Sequence, residues 1–377
     1  MKLGVTPDAT AAFARLKTWL IEAAYPIWWE AGADRQGGGF FDRLALDASP
    51  AASPRRVRVQ ARQAYAYAQA PGLGWKGPAE AASRHGLAGL AAFKRADGLY
   101  GPTPPRPPSP LDGMGELYDQ AFVLLALANV RAAFGGTDLE PEAVRLRERL
   151  APFAYPLGGY GEAPGLAEPL FANPNMHLFE SFIAWSAISN DPAWRGRADA
   201  LGVLALSRFI DAQTGALAES YDRDWTWPAV AQRVIWPGHL YEWAWLLMRW
   251  NETPATVDAA LKLVRLAEAQ GTDAGRKVAI FALDGAFAPT DRRARLWSQT
   301  ERIKACALAA ALTGDAGLWA SATQACEGLE RFLEVPTRGL WRDQMLEDGG
   351  FVEEAAPASS FYHIVAAIAE LQRLTGG

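Results

Sequence analysis

The sequence predicts an all-α fold: six helical hairpins closed into an (α/α)6 toroid, with short β-hairpin loops at one end. Three observations predict it. A glycine followed by bulky apolar residues recurs six times, two helix-length segments separate successive markers, and apolar segments alternate with charged ones. The markers are Gly39-Phe40-Phe41, Gly98-Leu99-Tyr100, Gly159-Tyr160, Gly215-Ala216-Leu217, Gly285-Ala286-Phe287 and Gly339-Leu340-Trp341, separated by 59, 61, 56, 70 and 54 residues. A single catalytic domain over residues 1–377 is expected.

Dense Ala, Leu, Glu and Arg content, with apolar spacing of three and four and ends at Gly, Pro or Asp, places helices at 8–31, 55–70, 78–94, 114–134, 141–153, 174–189, 193–211, 238–250, 254–269, 297–313, 315–333 and 358–374. The first can break at Pro26, which lacks a backbone donor. Tyr118 to Val130 and Trp236 to Leu247 are apolar nearly all round, as in helices covered on every side; Glu140 to Leu150 and Val257 to Glu268 carry frequent charge. Inner and outer helices therefore alternate. An open solenoid is the competing arrangement, but it usually has more uniform repeats and polar end caps. The Pro-rich stretch Thr103 to Pro110 suits a stiff loop at one mouth of the ring.

With 50% hydrophobic and 21% charged residues, the chain can bury a large core. A net charge of -5 argues against nucleic acid as a partner, since phosphate-backbone binding needs clustered positive charge. The longest uninterrupted apolar run, Ala121 to Ala128, is far short of the roughly 20 residues of a membrane span, so no membrane partner is expected. Pro7 and Asp8 precede any apolar h-region, and Cys306 and Cys326 show no disulfide or metal spacing; a cytoplasmic location is expected.

Near the starts of the presumed inner helices stand Arg62, Tyr118, His177, His239, Gln299 and His363, separated by 56, 59, 62, 60 and 64 residues. A shared register should bring them to one end of the ring, around one funnel. Taken singly, each has an ordinary structural explanation: a first-turn hydrogen bond for His177, an ion pair of His239 with Glu242 one turn on, a carboxylate partner for Arg62. Independent core histidines have no reason to recur about 60 residues apart. Trp225, Trp227, Trp236, Trp297, Trp341, Phe361 and Tyr362 lie in loops or at inner-helix starts, and indole faces suit the C–H surfaces of sugars. A carbohydrate-sized polar ligand is the preferred reading. There is no HExxH, HxH, DxDxDG or thiolate set for a metal, no GxxxxGK[ST] for a nucleotide and no GxSxG elbow.

Six blocks together resemble the N-acylglucosamine 2-epimerase superfamily: Gln60-Ala61-Arg62, Leu117 to Phe122, Asn173 to Glu180, Pro237 to Trp243, Trp297 to Glu301, and Ser360 to His363. One block falls in each repeat. The resemblance implies an (α/α)6 barrel that needs no cofactor or metal and acts on a monosaccharide, free or phosphorylated, or on a disaccharide. By position it makes His239 and His363 the acid/base pair, puts Arg62 on the substrate oxygens, and has Glu242 orient His239. Tyr118, Asn173, His177, Glu180, Trp236, Trp297, Gln299 and Glu301 would line or support the sugar site. The last block is most similar to the mannose-isomerase members, which implies aldose–ketose isomerisation of the D-mannose/D-fructose type through a cis-enediolate. A 2-epimerase of the N-acylglucosamine or cellobiose type and a mannose-6-phosphate isomerase are the alternatives within the family. Outside it stand an (α/α)6 glycoside hydrolase using Asp119, Glu180, Glu242 or Glu301, and a noncatalytic sugar-binding protein.

Imidazole is suited to this chemistry because it titrates near neutrality and can take a carbon-bound proton and return it. Arg62 would supply fixed charge for the enediolate. Arg43, Arg55, Arg56, Arg58, Arg233, Arg292, Arg293 and Arg338 lie in or near the loops, and one or two of them could bind a substrate phosphate. A monomer or homodimer is expected.

Overall fold

The computed structural model describes residues 5–101, 113–162 and 168–376, residues 113–116 by their backbone alone. The expected loop at Thr103 to Pro110 lies outside the described residues. Among the described residues twelve principal helices appear where the sequence places them: α1 (Pro7–Trp19), α2 (Val57–Leu73), α3 (Ala79–Gly89), α4 (Gly113–Phe134), α5 (Leu139–Arg149), α6 (Ala172–Ser186), α7 (Pro192–Leu204), α8 (Pro237–Trp250), α9 (Pro254–Gln270), α10 (Leu296–Thr313), α11 (Ala316–Leu333) and α12 (Ser359–Thr375). Pro26 does not break the first helix. The chain widens into a π turn over Leu20–Ala24 and resumes at Tyr25–Glu30, where Pro26 sits in the first turn and its missing N–H needs no partner.

The even-numbered helices form the inner ring. Each packs on the next, α2 on α4 through to α10 on α12, and α12 returns to α2, so the ring is closed and not an open stack. This excludes the solenoid. The odd-numbered helices pack outside, and α1 lies against α11 and α12. Apolar composition explains the split: α4 is buried along Ala121–Ala128, while α5 exposes its charged face. Among the described residues one helical window, Leu117–Phe134, is long and apolar enough to cross a membrane. It lies in inner helix α4, and 67% of it is buried within the ring.

Aromatic pairs fill the space between the two layers. Trp28 stacks on Trp341 with centroids 4.9 Å apart, and Trp185 on Trp194 at 5.1 Å. All four are fully buried, and each such burial removes about 150–250 Å² from water, or roughly 4–6 kcal/mol before entropy is charged.

The loops that enter the inner helices gather at one end as short antiparallel pairs. Leu170–Phe171 pairs with Ser220–Tyr221, Ala294–Arg295 with Gln344–Met345, and Val234–Ile235, Ala282–Asp284 and Pro289–Asp291 make a three-stranded sheet. Arg43–Leu44 pairs with Ala356–Pro357, tying the first loop to the last.

A buried amide explains the repeat. Gln60 Oε1 accepts from the Phe40 N–H (2.7 Å) and its Nε2 donates to the Phe40 carbonyl (3.0 Å). Gln120 holds Tyr100, Asn175 holds Tyr160 and Gln299 holds Ala279 in the same two-bond way. At Phe40 and Tyr160 the residue before is a glycine, which lets the chain approach the amide. Gly39 has φ +65°, and a Cβ there would fall 2.3 Å from Gln60 Oε1. The fifth marker is corrected by this pattern. Antiparallel bridges equate Phe40, Tyr100, Tyr160, Leu217 and Ala279, while Gly285 turns an additional hairpin in the three-stranded sheet, which accounts for the long 70-residue gap.

Candidate active site

A cavity of about 240 Å³ opens at the loop end of the ring. That is below the roughly 300–1,000 Å³ of drug-sized pockets and suits a small polar molecule. Arg62, Tyr118, Asn173, His177, Trp236, His239, Glu242, Trp297 and His363 all line it, so nine of the twelve expected site residues share one space.

His239 stands in the first turn of α8 and His363 at the start of the second turn of α12, and the ring of Trp297 lies against both. Its centroid is 5.0 Å from the His239 ring and 5.9 Å from that of His363. Each histidine is held by a carboxylate at Nδ1: His239 by Glu219 Oε2 (2.7 Å) and His363 by Glu301 Oε1 (2.8 Å). Such a bond fixes the tautomer with the proton on Nδ1 and leaves Nε2 as the nitrogen open to a ligand. Burial, reinforced by the Arg62 and Lys304 charges, holds the His363 imidazole well below its ordinary range, so it is a neutral base at neutral pH.

Arg62 projects from the second turn of α2 and is fixed by two bonds, Nη2 to the Tyr118 hydroxyl (2.6 Å) and Nη1 to the Ser359 carbonyl (3.2 Å). Its guanidinium also lies 4.0 Å from the Phe122 ring centroid. His177 differs from the other two histidines. Its Nδ1 is 3.5 Å from Glu180 Oε2 and 3.8 Å from Glu242 Oε1, beyond good hydrogen-bond length, and burial lowers it to about 4. The buried Oδ1 of Asn173 has no protein partner among the described residues, so it offers an acceptor for a hydroxyl.

Four expectations need correction. Glu242 does not orient His239. The Nδ1 of His239 meets Glu219 from the neighbouring loop, while Glu242, three residues on, sits beside His177. Gln299 does not face the cavity, because its amide is spent on Ala279 and on the Arg295 carbonyl. Its counterparts are Gln60 and Asn175, each two residues before Arg62 and His177; two residues turn a helix by about 200°, so the true mate of those site residues on α10 is Glu301. Glu180 and Glu301 are buried behind the cavity wall rather than on it. Glu180 accepts from the Tyr362 hydroxyl (2.5 Å), and Glu301 joins His363 to Lys304. Of the seven aromatics assigned to the funnel, only Trp236 and Trp297 line it. Trp225 and Trp341 are core, the Trp227 indole donates to the Arg208 carbonyl, Phe361 stacks in the core on Trp341, and Tyr362 packs against Tyr65 and Phe122.

Burial pushes up the carboxyls of both Glu242 and Glu301, and the Glu301 charge raises Glu242 further. Glu242 is shifted further, since Glu301 has the Lys304 ammonium 2.6 Å away, so of the two carboxyls Glu242 holds a proton more readily. Burial alone would raise Glu180 too, but His177, the Lys304 charge and the Tyr362 hydroxyl hold it below the ordinary carboxylate range.

Two groups, His177 with Glu180 and Glu242, and Glu242 with Glu301 and His363, bring ligand-type atoms within 4.8 Å of one another. Their chemistry fits a metal poorly. Lys304 already neutralises Glu301 and contributes positive charge at Glu180, and the Nδ1 of His363 is committed to Glu301.

A model of the family "N-acylglucosamine 2-epimerase (GlcNAc 2-epimerase)" matches residues 39–367. The chain belongs to this family. It is 42% identical over 370 residues to the mannose-6-phosphate isomerase of Rhizobium meliloti strain 1021, covering 95% of this chain and 96% of that one. It is 28% identical over 344 residues to the D-mannose isomerase of Thermobifida fusca, with 81% of each chain covered. Among solved structures, the cellobiose 2-epimerase of Bacillus thermoamylovorans superposes with a TM-score of 0.85 at 15% identity, over 97% of this chain and all of that one, so the toroid is shared. The protein is thus an isomerase or epimerase acting on carbohydrate.

Glu219 and Lys304 were not singled out from the sequence. Glu219 lies on a loop, outside the helical register. Lys304 carried a usable signal, a cation one turn beyond Glu301 in an otherwise Ala-rich inner helix.

Proposed function

We propose that this enzyme interconverts an aldose and the corresponding 2-ketose, of the mannose–fructose type, by proton transfer between C2 and C1. The observation that carries the reading is the pair of carboxylate-held imidazoles, His239–Glu219 and His363–Glu301, flanking Trp297 in a cavity that also holds Arg62. The names of the two sequence relatives support an aldose–ketose outcome.

The open-chain aldose lies against Trp297 with its C1 and C2 oxygens toward Arg62. Nε2 of His363 takes the C2 proton; the C–H electron pair forms the C1–C2 double bond, and the carbonyl pair moves onto O1. Arg62 and the neutral carboxyl of Glu242 stabilise that developing oxyanion with directed N–H and O–H donors, worth more in a buried site than in water. His239 passes a proton from O2 to O1, and His363 returns its proton to C1. The ketose has the formula of the aldose, and no electrons enter or leave. One face of the enediolate suffices for this outcome; 2-epimerisation would need reprotonation at C2 from the opposite face.

A hydrolytic reading is weaker, because it needs two carboxyls facing one ligand. Of the two carboxyls among the described residues that line the cavity, Asp343 is committed to Arg295 and Ser360, which leaves Glu242 without a second carboxyl facing the ligand. Two buried unpaired thiols, Cys306 and Cys326, suit a reducing compartment, and we place the enzyme in the cytoplasm. The test is incubation in deuterated water with D-mannose, D-fructose, their 6-phosphates, N-acetylmannosamine and cellobiose, followed by product NMR. Deuterium at C1 of a ketose formed from an aldose is expected. Return of only the C2 epimer would replace isomerisation by epimerisation, and no carbon-bound deuterium in any sugar would end the proposal.

A further inference from the structure

Above the histidines, the cavity wall is formed by four more arginines, Arg43, Arg56, Arg58 and Arg295. Each is anchored from behind by a carboxylate. Arg56 donates through Nε to Asp42, Arg58 through Nε to Asp119 (2.8 Å), Arg295 through Nε to Asp343 (2.9 Å) and Arg43 through Nη1 to Glu354 (2.9 Å). The aspartates are sealed and the guanidiniums are not. Arg56 is 41% exposed against 1% for Asp42, and Arg58 is 28% exposed against 7% for Asp119. Only Asp343 of the four carboxylates reaches the cavity wall.

For Arg56 and Arg58 this arrangement fixes the guanidinium planes while sparing the terminal amino groups, whereas Arg43 gives Nη1 to Glu354 and to the Ala355 carbonyl and Arg295 also turns Nη2 to Asp343. Arg56 and Arg58 spend Nε, and among the described residues no other hydrogen bond to a side chain or carbonyl is drawn from either head. With Arg62, five guanidiniums face four carboxylates around this end of the cavity, so the balance is positive and the donors converge. Solvated surface pairs would not all turn their cations toward one enclosed space. The other loop arginines are disposed differently: Arg55 pairs with Asp34, Arg293 with Asp291 and Arg338 with Glu22, away from the cavity wall.

We propose that Arg56 and Arg58, flanked by Arg43 and Arg295, bind a phosphoryl group at the far end of the sugar, so that the substrate is a hexose phosphate. The proposal rests on the reading above, which puts C1 and C2 at Arg62 and the histidines. Arg58 stands one helical turn from Arg62 on α2, about 6 Å along the axis, toward the mouth. An open-chain hexose with its carbonyl end at Arg62 extends its last carbon in that direction. Fork-shaped guanidinium donors match a tetrahedral dianion better than they match a hydroxyl.

The test uses hexitol 6-phosphate and the matching hexitol, which lack the carbonyl and cannot react. Calorimetry on the wild-type protein should show the phosphate ester binding at least 30-fold more tightly. Arg58→Gln and Arg56→Gln should each lower that ratio at least fivefold, and Arg58→Lys should recover part of it. Circular dichroism checks folding, and if Arg58→Gln unfolds, the more exposed Arg56 decides the matter. A wild-type ratio near one, or a ratio unchanged in the folded variants, overturns the site. Deuterium uptake by free and phosphorylated sugars is scored separately: its absence would defeat the isomerase reading but not a measured preference for the phosphate ester.

Discussion

Nζ of Lys304 lies 2.6 Å from Oε2 of Glu301, one turn away on the same inner helix, and both side chains are wholly buried. The other oxygen of Glu301 is the one that holds His363. Lys304 is therefore a positioning residue, reaching the substrate only through Glu301 and His363. Lys304→Met keeps the volume and leaves Glu301 without its cation. Turnover should fall about tenfold or more with KM nearly constant, the scale seen when the partner of an oriented histidine is lost. Urea denaturation should show a loss of about 3–5 kcal/mol, the usual cost of breaking a buried ion pair. Unchanged turnover in a folded variant would remove Lys304 from the site.

Glu219, not Glu242, is the partner of His239. Glu219→Gln should reduce kcat at least tenfold, and the combination with His239→Asn should lose little more than His239→Asn alone, because both substitutions disable one unit. Fully additive losses in steady-state kinetics would show that the two residues act separately.

His177 is held down to about 4 by burial, and His363 is displaced in the same direction. The sign follows from proton binding. Between pH 6.5 and about 4 the unfolded chain takes up a proton on His177 that the folded chain refuses, so stability is full above this window and falls as the pH drops through it. At about 1.4 kcal/mol per pKa unit, His177 accounts for about 3 kcal/mol across the whole window. Denaturant titrations at pH 7.5 and 4.5 should show a wild-type loss about 2 kcal/mol larger than that of His177→Gln. Equal losses would mean that the imidazole protonates freely in the fold.

Gln299→Ala removes both bonds to Ala279 and strands its buried N–H and carbonyl. A stability loss of about 2–4 kcal/mol is expected, since each stranded group costs about 1–3 kcal/mol. The preference among sugars should stay the same in a product assay, because the amide faces the loop and not the ligand. A changed preference would restore Gln299 to the binding surface.

The fold was legible because its signals are periodic. Inner helices such as α4 and α8 are apolar nearly all round, and the glycine markers recur beside the loop hairpins, three of which, at Gly39, Gly98 and Gly159, are clasped by a buried amide. The error at Gln299 shows what periodicity leaves out: a recurring polar residue marks a repeat without saying which face of the helix it occupies. Gln60, Asn175 and Gln299 recur for the loops, whereas Arg62, His177 and Glu301 recur for the site and its support. Histidines stood out because the chain has only four. Glu219 and the anchoring aspartates were hidden among 42 acidic residues, and only the turns of the loops select them.

The pairing of Arg43–Leu44 with Ala356–Pro357, together with the packing of α12 on α2, leaves this architecture without a terminal unit. A solenoid can gain or lose a repeat at its margin and keep the remainder intact. Removing a hairpin here would expose two flanks at once and pull Arg62 away from the Ser359 carbonyl it grips across the seam. Ring closure therefore ties every hairpin to two neighbours, and the additional hairpin at Gly285 shows that this scaffold has room for extra chain in its loops.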